Sequence, residues 1–172
     1  MVTDPCFARF SPHSDLHLGV RGHDSQRRDR LVDAVASEAA DGGWPVIEVN
    51  TRTTSRCESA LGQIEAEIHH RLMSKLTPSP FLVVVSSVTD LLDRTSPAVL
   101  GQIVRHGHKA GFHVLAGFDG TFSTGASIIS EAIPTWMHLD PVRHIEASEN
   151  LRSNEMVLAR TSRFDVVEVS VP

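Results

Sequence analysis

The chain is poor in the features that announce most chemistries. Its only cysteines, Cys6 and Cys57, form neither a metal-binding nor a redox spacing and read as two reduced thiols. No apolar run approaches the ~20 residues of a membrane span. A basic surplus is also missing: 16 Lys and Arg stand against 21 Asp and Glu, a net charge of −5. That argues against a dedicated, freely binding nucleic-acid module, although it leaves room for a locally basic face. The opening MVTDPCFARF has no basic stretch leading into an apolar core, so no secretory leader is expected. The expected location is the cytoplasm, with any membrane association made through a partner and no direct insertion. There is no internal repeat and no low-complexity tract.

What is present is an ordinary globular composition over 172 residues, 41% hydrophobic and 22% charged. The expectation is one domain spanning 1–172, large enough to bury a core. Strand and helix patterns alternate along it. Leu16 to Val20 reads as a short apolar strand. Gln26 to Ala40 reads as a helix, with Leu31, Val32, Val35 and Ala39 on one stripe, capped by Asp24 or Ser25 and ended by Gly42-Gly43. Pro45 to Val49 is a second strand. Glu58 to Leu76 carries Leu61, Ile64, Ile68, Leu72 and Leu76 at helical steps. Phe81 to Val85 is apolar throughout, which suits a parallel strand buried on both faces. Ser96-Pro97 opens a helix to about Ala110. Phe112 to Ala116 is a strand, and Gly117 to Gly125 a glycine-rich loop leading to a short helix. Thr135 to Leu139 is a further strand. Met156 to Arg160 and Val166 to Val171 read as a closing antiparallel hairpin. The alternation predicts an α/β fold with a mainly parallel sheet, whose ligands sit at the carboxyl ends of the strands. The loops after Val20, Val85 and Ala116 are therefore the ones to watch.

The first of these has the strand–glycine loop–helix context of a P-loop, whose pattern is G-x-x-x-x-G-K-[ST]. Laid on Gly19, the chain reads Gly19-Val20-Arg21-Gly22-His23-Asp24-Ser25-Gln26. Asp24 stands where the second motif glycine belongs and brings a side chain and negative charge toward any polyphosphate. Ser25 replaces the lysine, and Gln26 is a poor Mg²⁺ ligand. The second loop follows FLVVV with Ser86-Ser87, where a phosphate-cleaving enzyme carries carboxylates for Mg²⁺ and the attacking water. Both halves of one site thus lack their chemistry.

Two further readings concern binding. Arg21, Arg27, Arg28 and Arg30 cluster at the first helix start and offer guanidinium groups for an anion without a P-loop lysine; the competing reading is a solvated face with Asp24, Asp29 and Asp33 interleaved. Phe118 and Phe122 lie among glycines on the ligand-facing edge. They are either exposed partner-binding aromatics or core residues beneath a loop. No metal is expected: His106-Gly107-His108 and His69-His70 have no ligand spacing. A serine hydrolase is disfavoured because Ser86 and Ser87 lack the G-x-S-x-G elbow.

In order and spacing the chain resembles the FtsK/SpoIIIE-like P-loop motor domains, including the EccC ATPases of type VII secretion. Pro12-His13 to Gly19 is similar to the lead-in to that family's P-loop strand, and Glu58 to Leu76 to the helix before its Walker B strand. Leu82 to Leu92, LVVVSSVTDLL, keeps the family's Asp90-Leu91-Leu92 and loses its acid pair. Ala110-Gly111-Phe112-His113 resembles the family's Ala-Gly-Ile-His entry, and Ile133-Pro134-Thr135 its Ile-Pro-Thr. The stretch Ala116-Gly117-Phe118-Asp119 stands where the family typically carries a polar sensor, often Thr-Gln, and the stretch between Asn50 and Glu58 is shorter than usual. The resemblance covers nearly the whole chain. It implies a three-layer, RecA-like P-loop NTPase fold with helices on both faces and a C-terminal hairpin. It implies a degenerate ATPase module with Gly19, Gly22, Asp24, Ser25 and Gln26 as a degenerate Walker A and Ser86, Ser87 and Asp90 as a degenerate Walker B. No catalytic residue and no cofactor are then expected. The implied partner is a protein, either a motor subunit or a secreted substrate. The alternatives are a nucleotide-binding ATPase that holds ATP and Mg²⁺ with help from Arg21, Arg27 and Arg28, or a DNA-binding accessory of a translocase.

Overall fold

A computed structural model describes residues 17–49, 53–74, 79–141, 155–160 and 163–168. Cys6, Pro12-His13, Leu76, the hairpin turn at Thr161-Ser162 and the stretch 169–172 lie outside them. The described strands form one seven-stranded sheet in the order β2-β3-β4-β1-β5-β6-β7. β1 (His17–Arg21) lies between β4 (Phe112–Phe118) and β5 (Thr135–His138), parallel to both. β3 (Phe81–Val85) joins β4, and the short β2 (Val46–Glu48) forms the edge, again parallel. β6 (Glu155–Arg160) and β7 (Arg163–Glu168) add antiparallel on the far side.

Helices cover both faces, because β3 is apolar on both sides and β4 is buried along its whole length. α1 (Ser25–Asp41) packs Leu31 and Val32 against Leu18, Val20, Leu82, Val84 and Leu115. On the opposite face α2 (Thr54–Ser74), α3 (Val88–Leu92), α4 (Pro97–His106) and α5 (Thr124–Ser130) close over Val83, Val85, Val114 and Ala116. The alternation Leu82/Val84 against Val83/Val85 is the pleat of β3 read twice, once per layer. This is the three-layer α/β arrangement with a parallel core and a terminal hairpin.

The elements differ from expectation in instructive places. α2 begins a turn early, at Thr54, because the fully buried Cys57 extends its apolar stripe backward. Leu72, expected on that stripe, is 43% exposed, since the helix outruns the core there. Arg71 holds this end instead, donating to the Ser79 carbonyl at 3.0 Å with its guanidinium 5.0 Å from the Phe112 ring centre. α4 stops at His106 and continues as a 3-10 turn to Ala110, ended by Gly111 at φ 79°, a left-handed conformation that favours glycine. β4 does not end at Ala116. It continues through Gly117 to Phe118, so the glycine read as the start of a loop is a strand residue.

Candidate functional site

The carboxyl ends of β1, β3 and β4 meet where the sequence places its altered motifs. Gly19 lies inside β1 under the Trp136 ring; a Cβ there would come within 2.5 Å of it. After β1 the chain turns sharply. The Gly22 N–H donates to the Phe118 carbonyl at 3.2 Å, and the His23 N–H to the Asp140 carboxylate at 2.5 Å. Asp24 is the N-cap of α1: its backbone is extended, and its carboxylate accepts from the Arg27 N–H at 3.1 Å. A carboxylate at a helix N-terminus satisfies an otherwise orphan donor and complements the helix dipole. Ser25 and Gln26 follow as the first two helical residues, both exposed. Three amides around this loop therefore point at acceptors belonging to the protein.

The β3–α3 turn repeats the device. Ser86 follows β3, and its carbonyl lies so close to β4 that a Cβ on Gly117 would come within 2.1 Å of it. Ser87 caps α3, its hydroxyl accepting from the Asp90 N–H at 3.2 Å. Asp90 is exposed in the first turn of α3. At both loops a residue aligned with a motif position caps the helix that follows.

The three arginines singled out for anion binding have diverged in environment. Arg21 donates through Nε to the Gly120 carbonyl at 3.0 Å, and also through Nη2, while its guanidinium stacks 4.5 Å from the centre of the Phe122 ring. Arg27 donates to the Leu139 carbonyl at 3.1 Å. Arg28 is 3% exposed, a rare state for an arginine. One edge of its guanidinium meets Asp29, with Nη2 to Oδ1 at 3.0 Å, and Nη1 meets Asp119 at 2.5 Å. The second Asp119 oxygen accepts from the Thr89 hydroxyl at 2.5 Å. Partial burial works to raise the Asp119 pKa, yet the hydrogen bonds from Thr89 and Arg28 and the Arg28 charge outweigh it and hold the carboxyl below its ordinary range. The result is one network across α1, α3 and the end of β4. Arg30, the fourth arginine of the cluster, is exposed on α1.

Of the two readings open for the aromatic pair, Phe118 takes the core one. It closes β4 and is 1% exposed, because Gly117 carries the strand onward and buries it. Phe122 is half-buried against it, with centroids 5.4 Å apart, and Trp136 completes the cluster at 4.9 Å from Phe118. Sequence reasoning passed over two residues that matter here. Thr89 carried no signal beyond its place two residues past Ser87. Asp119 stood only as the last residue of the stretch Ala116-Gly117-Phe118-Asp119, and its partner Arg28 lies 91 residues away. Among the described residues, no group of three His, Cys, Asp or Glu side chains is placed to hold a metal, and no helix is long and apolar enough to cross a membrane.

No protein-family model and no curated protein sequence matches the chain. Solved structures do. The conjugation coupling protein TcpA of pCW3, solved with ATPγS, superposes with a TM-score of 0.78 at 10% identity, over 94% of this chain and 62% of TcpA. EssC (ATPases 2 and 3) from Geobacillus thermodenitrificans gives 0.70 at 14% identity, over 93% of this chain and 38% of EssC. Thermomonospora curvata EccC (ATPases 2 and 3), solved with a signal sequence peptide, gives 0.64 at 11% identity, over 95% of this chain and 38% of EccC. The chain thus spans less than two thirds of each of these molecules. It carries the fold of the FtsK/SpoIIIE-like P-loop motor domains, shared with the ATPase domains of secretion and conjugation motors.

Proposed function

We infer that the chain is a degenerate FtsK/EccC-like module, a P-loop fold that no longer turns over nucleotide and serves as a partner-binding or assembly unit of a protein-secretion or DNA-transport motor. The observation that carries this reading is the closed first loop. The amides of Gly22, His23 and Arg27 donate to Phe118, Asp140 and Asp24, the donors a phosphate cradle would need to turn outward. Ser86 and Ser87 at the end of β3 supply no charge for Mg²⁺. The engagement of Arg21, Arg27 and Arg28 with protein acceptors favours this reading over one in which they replace the P-loop lysine. The EccC structure with a signal sequence peptide suggests a protein ligand, a secreted substrate or a motor subunit, met at the cytoplasmic side of a membrane-bound motor.

The test is thermal unfolding with Mg-ATP, alongside phosphate release. A ligand at a hundred times its dissociation constant stabilises by about 2.7 kcal/mol. The expected result is no shift at millimolar Mg-ATP and no release. A clear shift that disappears in Arg27→Ala would replace this reading with that of a nucleotide-binding ATPase. Affinity capture from the native host should recover a motor subunit or a secreted protein. Salt-sensitive binding of duplex DNA would instead favour the translocase accessory.

A further inference from the structure

We propose that the Asp119 carboxylate is a built-in anion, occupying a cradle on Arg28 that would otherwise take an exogenous phosphate-type oxyanion. The proposal rests on the reading of the site as one without nucleotide turnover, and deepens it. Donors on two separate elements converge on this one carboxylate: Arg28 Nη1 from α1 and the Thr89 hydroxyl from α3. His23, in the first loop, adds a favourable electrostatic contribution. Arg28 is 3% exposed, and its other edge is taken by Asp29, so the Nη1 edge is the one left to face the cradle. Gly117 shapes the wall, since a Cβ there would stand 3.2 Å from Arg28 Nε and 2.1 Å from the Ser86 carbonyl. A guanidinium held in such a wall, with a hydroxyl beside it, is the donor set that recognises oxyanions. The protein supplies the oxyanion itself, from the residue that follows β4.

Removing that carboxylate should therefore open the cradle without disturbing its donors. The experiment is thermal unfolding of the whole chain in inorganic pyrophosphate, using wild type, Asp119→Ala, Asp119→Asn and the double variant Asp119→Ala/Arg28→Gln. Wild type should show no pyrophosphate-dependent shift. Asp119→Ala should melt lower without ligand and recover by roughly 5 °C once pyrophosphate far exceeds its dissociation constant. Asp119→Asn, which keeps the side-chain shape and a neutral acceptor, should fold near wild type and gain less; it carries the test if the alanine variant does not fold. The double variant should gain nothing. The proposal is overturned if neither folded Asp119 variant responds to pyrophosphate, if the double variant responds equally, or if wild type already responds. Hydrolysis of Mg-ATP by wild type would instead overturn the functional reading, and it is read in a separate assay from the pyrophosphate response of Asp119→Ala.

Discussion

The two ends of the same sheet handle polar groups in opposite ways. At the carboxyl end, charge is kept and compensated: Arg28 sits between Asp29 and Asp119, whose side chains remain 46% and 42% exposed. At the amino end, a buried imidazole is held neutral. His17, the first residue of β1, is 2% exposed, and its Nδ1 accepts from the Val114 N–H at 3.1 Å, which requires that nitrogen to be unprotonated. Burial, and then the neighbouring His113, push its pKa down to about 4. The contrast separates a buried group that the fold keeps neutral from charged groups that it keeps within reach of water.

Acidification gives the largest expected effect and tests the amino end first. An imidazole with a folded-state pKa near 4 takes up its proton more readily in the unfolded chain, whose ordinary value is near 6.5. Its contribution is therefore complete at neutral pH and is lost as pH falls from 6.5 toward 4, by at most roughly 3 kcal/mol. His138, buried at the other end of the sheet beside Arg21, is also pushed to about 4 and adds a second such loss. Denaturant unfolding across this range should show the decline, and His17→Leu should flatten the amino-end share of it. Asp119, whose pKa is lowered, behaves differently: its contribution persists above the ordinary carboxylate range and disappears only as pH falls through its depressed folded value. A decline confined to pH below 4 would break the comparison.

Gly117→Ala comes next. The added methyl would meet the Ser86 backbone, which cannot swing aside, so a loss of roughly 3 kcal/mol is expected by chemical denaturation. Arg28→Met should cost about 2 kcal/mol. That is less than the usual penalty for breaking a buried pair, because both carboxylates can regain water. Smallest are the caps. Asp24→Ala should cost about 1 kcal/mol, and Ser87→Ala roughly 0.5 kcal/mol, since α3 has only five residues to stabilise. A larger loss at Ser87 than at Asp24 would mean that the β3–α3 turn does more than cap its helix.

Much of this architecture was legible because it depends on local pattern. FLVVV suits a buried strand, and Asp24 before a periodic helix could serve as its cap. The alternation of layers follows from the same apolar runs; the strand order β2-β3-β4-β1-β5-β6-β7 does not, since it rests on pairings between distant segments. Pairings across long sequence separations were not legible. Nothing local ties Arg28 to Asp119 or marks His17 as buried. Phe118 was ambiguous because glycine signals a loop by default, whereas Gly117 is required here by the close approach of the Ser86 carbonyl. α3 was too short to display a period.

The ring that lies over Gly19 has one more use. The chain has two tryptophans. Trp136 packs in the layer beneath α5, beside Phe118 and Phe122. Trp44 packs in the opposite layer, 5.2 Å from His113. Each layer thus carries its own fluorophore, one toward the first loop and one toward the amino end. Single Trp→Phe variants would make each layer optically separate, so that loosening of either could be followed by emission alone.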